Sequence, residues 1–176
     1  MDTELLTTTK KLHDSLKEII GDPHIQIAFM QAMPESRLKL ENLMLIDPLR
    51  FMLYVANADG VISQREANII NYVTGEYIPA EVLRKQVEED KDFYVYSMPE
   101  VPLTIKVLCM VENTIIQKSG ALDTSVLSIA IHYFKALGML ISDADGNVTD
   151  EEKERVVSYV QLIQDYAEEN TLSPFF

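Results

Sequence analysis

The stretch Asp143-Ala144-Asp145-Gly146-Asn147-Val148-Thr149-Asp150-Glu151-Glu152 decides how this chain is read. It follows a strongly apolar segment and precedes an amphipathic one. Upstream, Asn57-Ala58-Asp59-Gly60-Val61-Ile62-Ser63-Gln64-Arg65-Glu66 repeats it. Both read Ala-Asp-Gly-x-(Val/Ile)-(Ser/Thr)-x-x-Glu, and Gly60 and Gly146 stand 86 residues apart. Self-similarity of this kind predicts one helix–loop–helix unit used twice.

Two chemistries fit such a corner. The calcium loop of an EF-hand places oxygen ligands at positions 1, 3, 5, 9 and 12, with Gly at 6. With Gly146 at position 6, Asp143, Asp145, Thr149 and Glu152 fall on 3, 5, 9 and 12. With Gly60 there, Asn57, Asp59, Ser63 and Glu66 take the same places. Position 1 breaks the match in both copies, being Val55 and Ile141. A cation held here would need water, carbonyl or distant oxygens to complete its shell. The candidate metal residues are Asp59, Glu66, Asp143, Asp145 and Glu152, and the candidate ions are Ca²⁺, Mg²⁺ or Mn²⁺.

The second chemistry needs no ion. Gly60 and Gly146 suit a helix C-terminus, where φ is positive. Ser63-x-x-Glu66 and Thr149-x-x-Glu152 are capping boxes, in which the hydroxyl accepts from the N3 amide and the Glu accepts from the N-cap amide. Acidic residues in a first helical turn also suit the macrodipole. On this reading each motif is helix stop, turn and helix start.

Composition narrows the partners. The 176 residues carry 15 Lys and Arg against 28 Asp and Glu, a formal net charge of −13. Such a surface releases no counterions from phosphates, so nucleic acid is not an expected partner. A cation or a basic protein partner is. The length suffices for one domain with a sizeable core. The single Cys109 lies in the apolar run Val107-Leu108-Cys109-Met110-Val111 and reads as a buried, inert thiol. No basic n-region opens the chain, and no uninterrupted apolar stretch is long enough to span a bilayer. Membrane insertion is not expected, and a cytoplasmic location is.

Apolar periodicity predicts a helix over 3–20, ended by Gly21-Asp22-Pro23. A short apolar piece, Ile25 to Met33, and a segment from Ser36 to Ile46 follow. Asp47-Pro48 predicts a helix start, with Asp as N-cap and Pro at N1, leading into the first corner. Further helices are expected over about 64–74, Ile78 to Asp90 and 102–118. Asp123 or Thr124 is expected to cap the next helix, apolar almost all round and hence central. The last helix covers about 150–168. Phe93-Tyr94-Val95-Tyr96 reads as a turn packed on the core, and the tail Ser173-Pro174-Phe175-Phe176 as folding back. The expected fold is an all-α, single-domain bundle of seven to eight helices. Within it, 1–46 is an N-terminal extension and 47–169 a tandem core.

Catalytic signatures are lacking: no Gly-rich phosphate loop, no His-Glu-x-x-His, no Cys-x-x-Cys and no nucleophile elbow. His13, His24 and His132 are isolated, and the methionines read as gap fillers. Exposed loop carboxylates such as Asp143 and Asp145 lack the burial that separates acid from base. The chain is not expected to be an enzyme.

At Tyr54 to Glu66 and Ile141 to Glu152 the sequence resembles the tellurite-resistance TerB-like family. The resemblance implies an all-helical bundle with two such motifs, a role in bacterial cytoplasmic stress response, and divalent metal at the acidic loops. Carried over, it points to Asp59, Glu66, Asp145 and Glu152. It covers neither the N-terminal extension nor the segment Phe93 to Val101. Two functions therefore stand as expectations: a non-catalytic module binding a divalent ion at its inter-helix loops, or a metal-free protein-interaction scaffold with an acidic surface.

Overall fold

The 86-residue offset carries into three dimensions without drift. Helix α3 (Leu40–Ala56) and helix α7 (Val126–Ser142) are each 17 residues long and begin and end at equivalent positions. Helices α4 (Gln64–Thr74) and α8 (Asp150–Asn170) leave the two corners, again from equivalent first residues. The remaining helices are α1 (Thr3–Ile20), α2 (Pro23–Ala32), α5 (Ala80–Glu89) and α6 (Leu103–Ser119). These come from a computed structural model that describes residues 3–91, 100–144, 146 and 148–176. Among them the fold is all-helical, with no strand. The Phe93–Tyr96 turn expectation lies outside the described residues.

Helix α7 is the centre. Its apolar circumference buries Leu127, Ala130, Ile131, Phe134, Leu137, Leu140 and Ile141. It packs against α1, α3, α8, α6 and α4. One buried cluster takes residues from all eight helices, from Leu16 on α1 to Ile163 on α8. Phe51 stacks on Tyr159 at 4.3 Å between centroids and meets Phe134 edge-on at 5.6 Å. Such pairs add about 0.5–1.5 kcal/mol each beyond their buried area. Gly138 is required at the crossing of α7 with α8 and α3. A Cβ there would stand 2.7 Å from Val156 Cγ1 and 3.0 Å from Phe51 Cζ.

Three sequence expectations need correction. Asp47-Pro48 does not start a helix, because α3 runs through it from Leu40. An interior proline costs about 3 kcal/mol by removing one amide and crowding the carbonyl four residues back. Burial of Leu40, Leu43 and Met44 outweighs it, at about 1.5–3 kcal/mol per side chain. The expected division between 46 and 47 thus falls inside a continuous helix. Likewise, α7 is capped neither by Asp123 nor by Thr124. Ser125 does it, accepting from the Ser128 amide at 2.9 Å.

The third correction concerns the tail. It does return to the bundle, but through polar contacts. Asn113 Nδ2 donates to the Asn170 carbonyl at 2.8 Å, and Asn113 Oδ1 accepts from the Leu172 amide at 2.7 Å. Ser173 is buried, while Phe175 and Phe176 stay partly exposed. Gap-filling holds for Met44 and Met52, but Met30 and Met139 face outward. No described helix is long and apolar enough to cross a membrane.

Candidate functional site

The two corners match in backbone at the described equivalent positions 57 and 143, 60 and 146, and 63 and 149. Asn57 and Asp143 end α3 and α7 with φ −86° and −87°. Gly60 and Gly146 follow with φ +83° and +81°, a region that only glycine enters without a Cβ penalty. Each glycine amide closes the turn on the carbonyl three residues back, Asn57 O at 3.1 Å and Asp143 O at 3.2 Å. Ser63 and Thr149 are the N-caps of α4 and α8, with φ,ψ of −73°,163° and −77°,160°.

Both capping boxes are complete. Ser63 Oγ accepts from the Glu66 amide at 3.2 Å, and Glu66 Oε2 accepts from the Ser63 amide at 2.6 Å. Thr149 Oγ1 accepts from the Glu152 amide at 3.2 Å, and Glu152 Oε2 accepts from the Thr149 amide at 2.7 Å. Glu66 and Glu152 are only 6% and 7% exposed. Asp59 is exposed, and its Oδ1 accepts from the Val61 amide at 2.9 Å. Asp143 is half-buried at the end of α7. Asp145 lies outside the described residues. Val55 and Ile141, at the first ligand position, are fully buried and helical.

The corners are neighbours. The 3₁₀ turn Asn57–Asp59 packs against α8. Arg155 of α8 donates to the Tyr54 carbonyl in the last turn of α3, with its guanidinium 4.6 Å from the Tyr54 ring centroid. A cation suits that helix end, where carbonyls lack intrahelical partners. Arg84 of α5 holds the other side of the first corner, donating from Nε to the Ile62 carbonyl at 2.9 Å. The Glu66 carboxyl is pushed up to about 7, chiefly by burial. Hydrogen bonds from Ser63 oppose the rise, and the charges of Asp59 and Glu152 add to it. Among the described residues no three His, Cys, Asp or Glu side chains converge as a metal-holding group.

Two buried carboxylates do structural work of their own: Asp47, expected to cap its own helix, and Glu112, which the sequence did not single out. Asp47 Oδ2 accepts from the Thr104 amide and hydroxyl, both at 2.7 Å. Thr104 is the second residue of α6, whose N-cap, Pro102, offers no side-chain acceptor. Glu112 Oε1 likewise accepts from Ser125 Oγ at 2.9 Å and from the Leu127 amide at 2.8 Å. Each acid therefore caps another helix from the side, Asp47 of α3 that of α6 and Glu112 of α6 that of α7. Glu112 is fully buried, and among the described residues its Oε2 has no hydrogen-bond partner. Desolvation raises its carboxyl above the ordinary value, and the hydrogen bonds it accepts from Leu127 and Ser125 oppose the rise. The signal for Glu112 was an acid on the inward stripe of an apolar helix; Asp47 was masked by the proline after it.

The other titratable groups are dispersed. His13 Nδ1 and the Tyr133 hydroxyl are hydrogen-bonded at 2.9 Å inside the α1–α7 contact. His132 is exposed, with Nδ1 2.8 Å from the Ser128 carbonyl of its own helix. Cys109 is buried and its thiol is pushed up to about 12, mainly by burial. Comparison with protein-family models, with curated proteins and with solved structures finds no match.

Proposed function

We propose that this chain is a non-catalytic helical module whose paired corners fix the bundle and whose acidic surface receives another protein. One observation carries the reading. The carboxylates at the twelfth loop position, Glu66 and Glu152, are buried and spent on the N-cap amides of their own helices. A bidentate ligand at that position is what a calcium loop depends on. To serve an ion, each would have to give up its short bond to the N-cap amide. The first position adds Val55 and Ile141, which carry no side-chain oxygen.

A second reading has one observation in its favour. Asp59 and Glu152 both raise the Glu66 carboxyl, so negative charge is crowded where the corners meet. A divalent ion would relieve that crowding, as expected for a cytoplasmic stress-response protein of the TerB-like kind.

Melting the full chain with EDTA, and with millimolar Ca²⁺, Mg²⁺ or Mn²⁺, separates the two. The scaffold reading expects one melting curve throughout. Stabilisation that grows with the logarithm of ion concentration, about 2.7 kcal/mol at a hundredfold excess over Kd, would replace it with the metal reading.

A further inference from the structure

We propose that the groove between the α1–α2 turn and the α6–α7 turn docks a basic peptide segment, seating an apolar side chain between cationic ones. This rests on the interaction-module function and names the surface and the partner that function would use.

The groove has a volume of about 620 Å³. Its floor is Ile19, Ile25, Ile115, Leu122 and Val126. Ile25 and Val126 are buried, whereas Ile19, Ile115 and Leu122 keep part of their surface open. Cavities of this size are typical of sites that take a compact ligand or an anchoring side chain. The rim carries Glu18, Asp22 and Asp123, all exposed. His24 completes it, and among the described residues no lysine or arginine lines it.

Helices α1 and α6 both end here, at Ile20 and Ser119, each with a lysine in its last turn, Lys17 and Lys118, that does not line the groove. Helices α2 and α7 both begin here, but their positive ends are already answered. Asp22 accepts from the His24 amide at 2.7 Å, and Ser125 with Glu112 satisfies the start of α7. What remains is an apolar floor under the exposed carboxylates of Glu18 and Asp123. Two other grooves among the described residues differ: one includes Arg65 in its wall, the other Lys39.

The test uses the full chain, ¹⁵N-labelled, and a capped Arg-Leu-Arg-Arg-Leu-Arg peptide at concentrations up to about 1 mM, enough to see weak anchoring. Amide shifts should concentrate at Ile19, Ile25, Ile115, Leu122 and Val126. The double variant Glu18→Gln, Asp123→Asn should weaken binding about five- to tenfold, the sum expected of two rim charges. Asp22 is left intact because it caps α2. A control, Glu81→Gln with Glu88→Gln on α5, should leave binding unchanged. An Arg-Ser-Arg-Arg-Ser-Arg peptide should bind at least tenfold more weakly, since it has nothing for the floor. Absent or scattered shifts, equal loss in the control, or equal binding of the serine peptide would overturn the proposal. Shifts gathered in another groove would overturn it while leaving the interaction function standing. Metal-dependent melting would remove that function without altering where the peptide binds.

Discussion

The two halves of the duplicated unit share a backbone and divide the packing work differently. Position for position, α3 and α7 match over their full length, yet several equivalent pairs differ in chemistry. Asp47 on α3 stands where α7 has Tyr133. Both are buried polar groups that tie in a flanking helix: Asp47 holds Thr104 of α6, and Tyr133 holds His13 of α1. Met52 stands where α7 has Gly138. Met52 fills space completely, whereas Gly138 keeps it clear for Val156. The corners themselves hardly vary. Backbone geometry thus follows from glycine and the capping box, while the helix faces are free to specialise.

The comparison breaks hardest at Asp47. Asp47→Ala removes the acceptor of the buried Thr104 amide and leaves the Thr104 hydroxyl only the Leu43 carbonyl. A loss of about 3 kcal/mol is expected, because bonds to a charged acceptor are worth about 1.5–3 kcal/mol. Urea unfolding would read it. Tyr133→Phe removes one bond to a neutral partner and should cost about 1 kcal/mol. If the two variants cost the same, the equivalence extends to energy and the charge of Asp47 is immaterial.

Gly138 sharpens the same comparison. In an exposed helix, Gly→Ala gains nearly 1 kcal/mol from propensity. Here the new methyl meets both γ-methyls of Val156, a β-branched side chain with little rotamer freedom. Gly138→Ala should therefore destabilise by about 1–3 kcal/mol, as overpacking does. Adding Val156→Ala should recover part of that loss. A stabilised Gly138→Ala, measured by thermal melting, would mean that α7 and α8 shift apart freely.

Much of this was legible in the chain, and the failures have physical causes. Both corners could be read because glycine and Ser/Thr-x-x-Glu act locally, within one turn of backbone. The central place of α7 could be read because it is apolar on every side. Asp47-Pro48 misled because the local rule for a helix start is strong, and only tertiary burial of Leu40, Leu43 and Met44 overrides it. Ser125 lost to its neighbours because its preference over Asp123 and Thr124 is set by Glu112, thirteen residues away in sequence. The metal candidates were legible as a pattern of oxygens. Which of the two readings Glu66 and Glu152 follow was not, since that depends on burial between corners 86 residues apart.

The smallest expected effect distinguishes the first corner from the α1–α7 contact by the sign of its pH dependence. His13 is held down to about 4, first by burial and then by the charges of Lys10 and Lys17, with Asp14 opposing. Unfolded, it titrates near 6.5. The unfolded chain therefore binds the extra proton between these values, and His13 contributes stability above pH 6.5 that is lost as pH falls toward 4. Glu66 is the reverse. Its carboxyl sits at about 7 folded and near 4.5 unfolded, so the folded chain holds the extra proton in between. Its contribution is present below pH 4.5 and lost as pH rises through 7. From pH 4.5 to 6.5 the two slopes oppose and largely cancel. Glu66→Gln keeps the capping box, since Gln serves at N3, and removes one slope. That variant should lose stability on acidification relative to the parent, by on the order of 1 kcal/mol across the window. His13→Gln should gain by a similar amount. Urea midpoints at pH 4.5, 5.5 and 6.5 decide it: slopes of the same sign in both variants would mean that neither group is held in the state its burial requires.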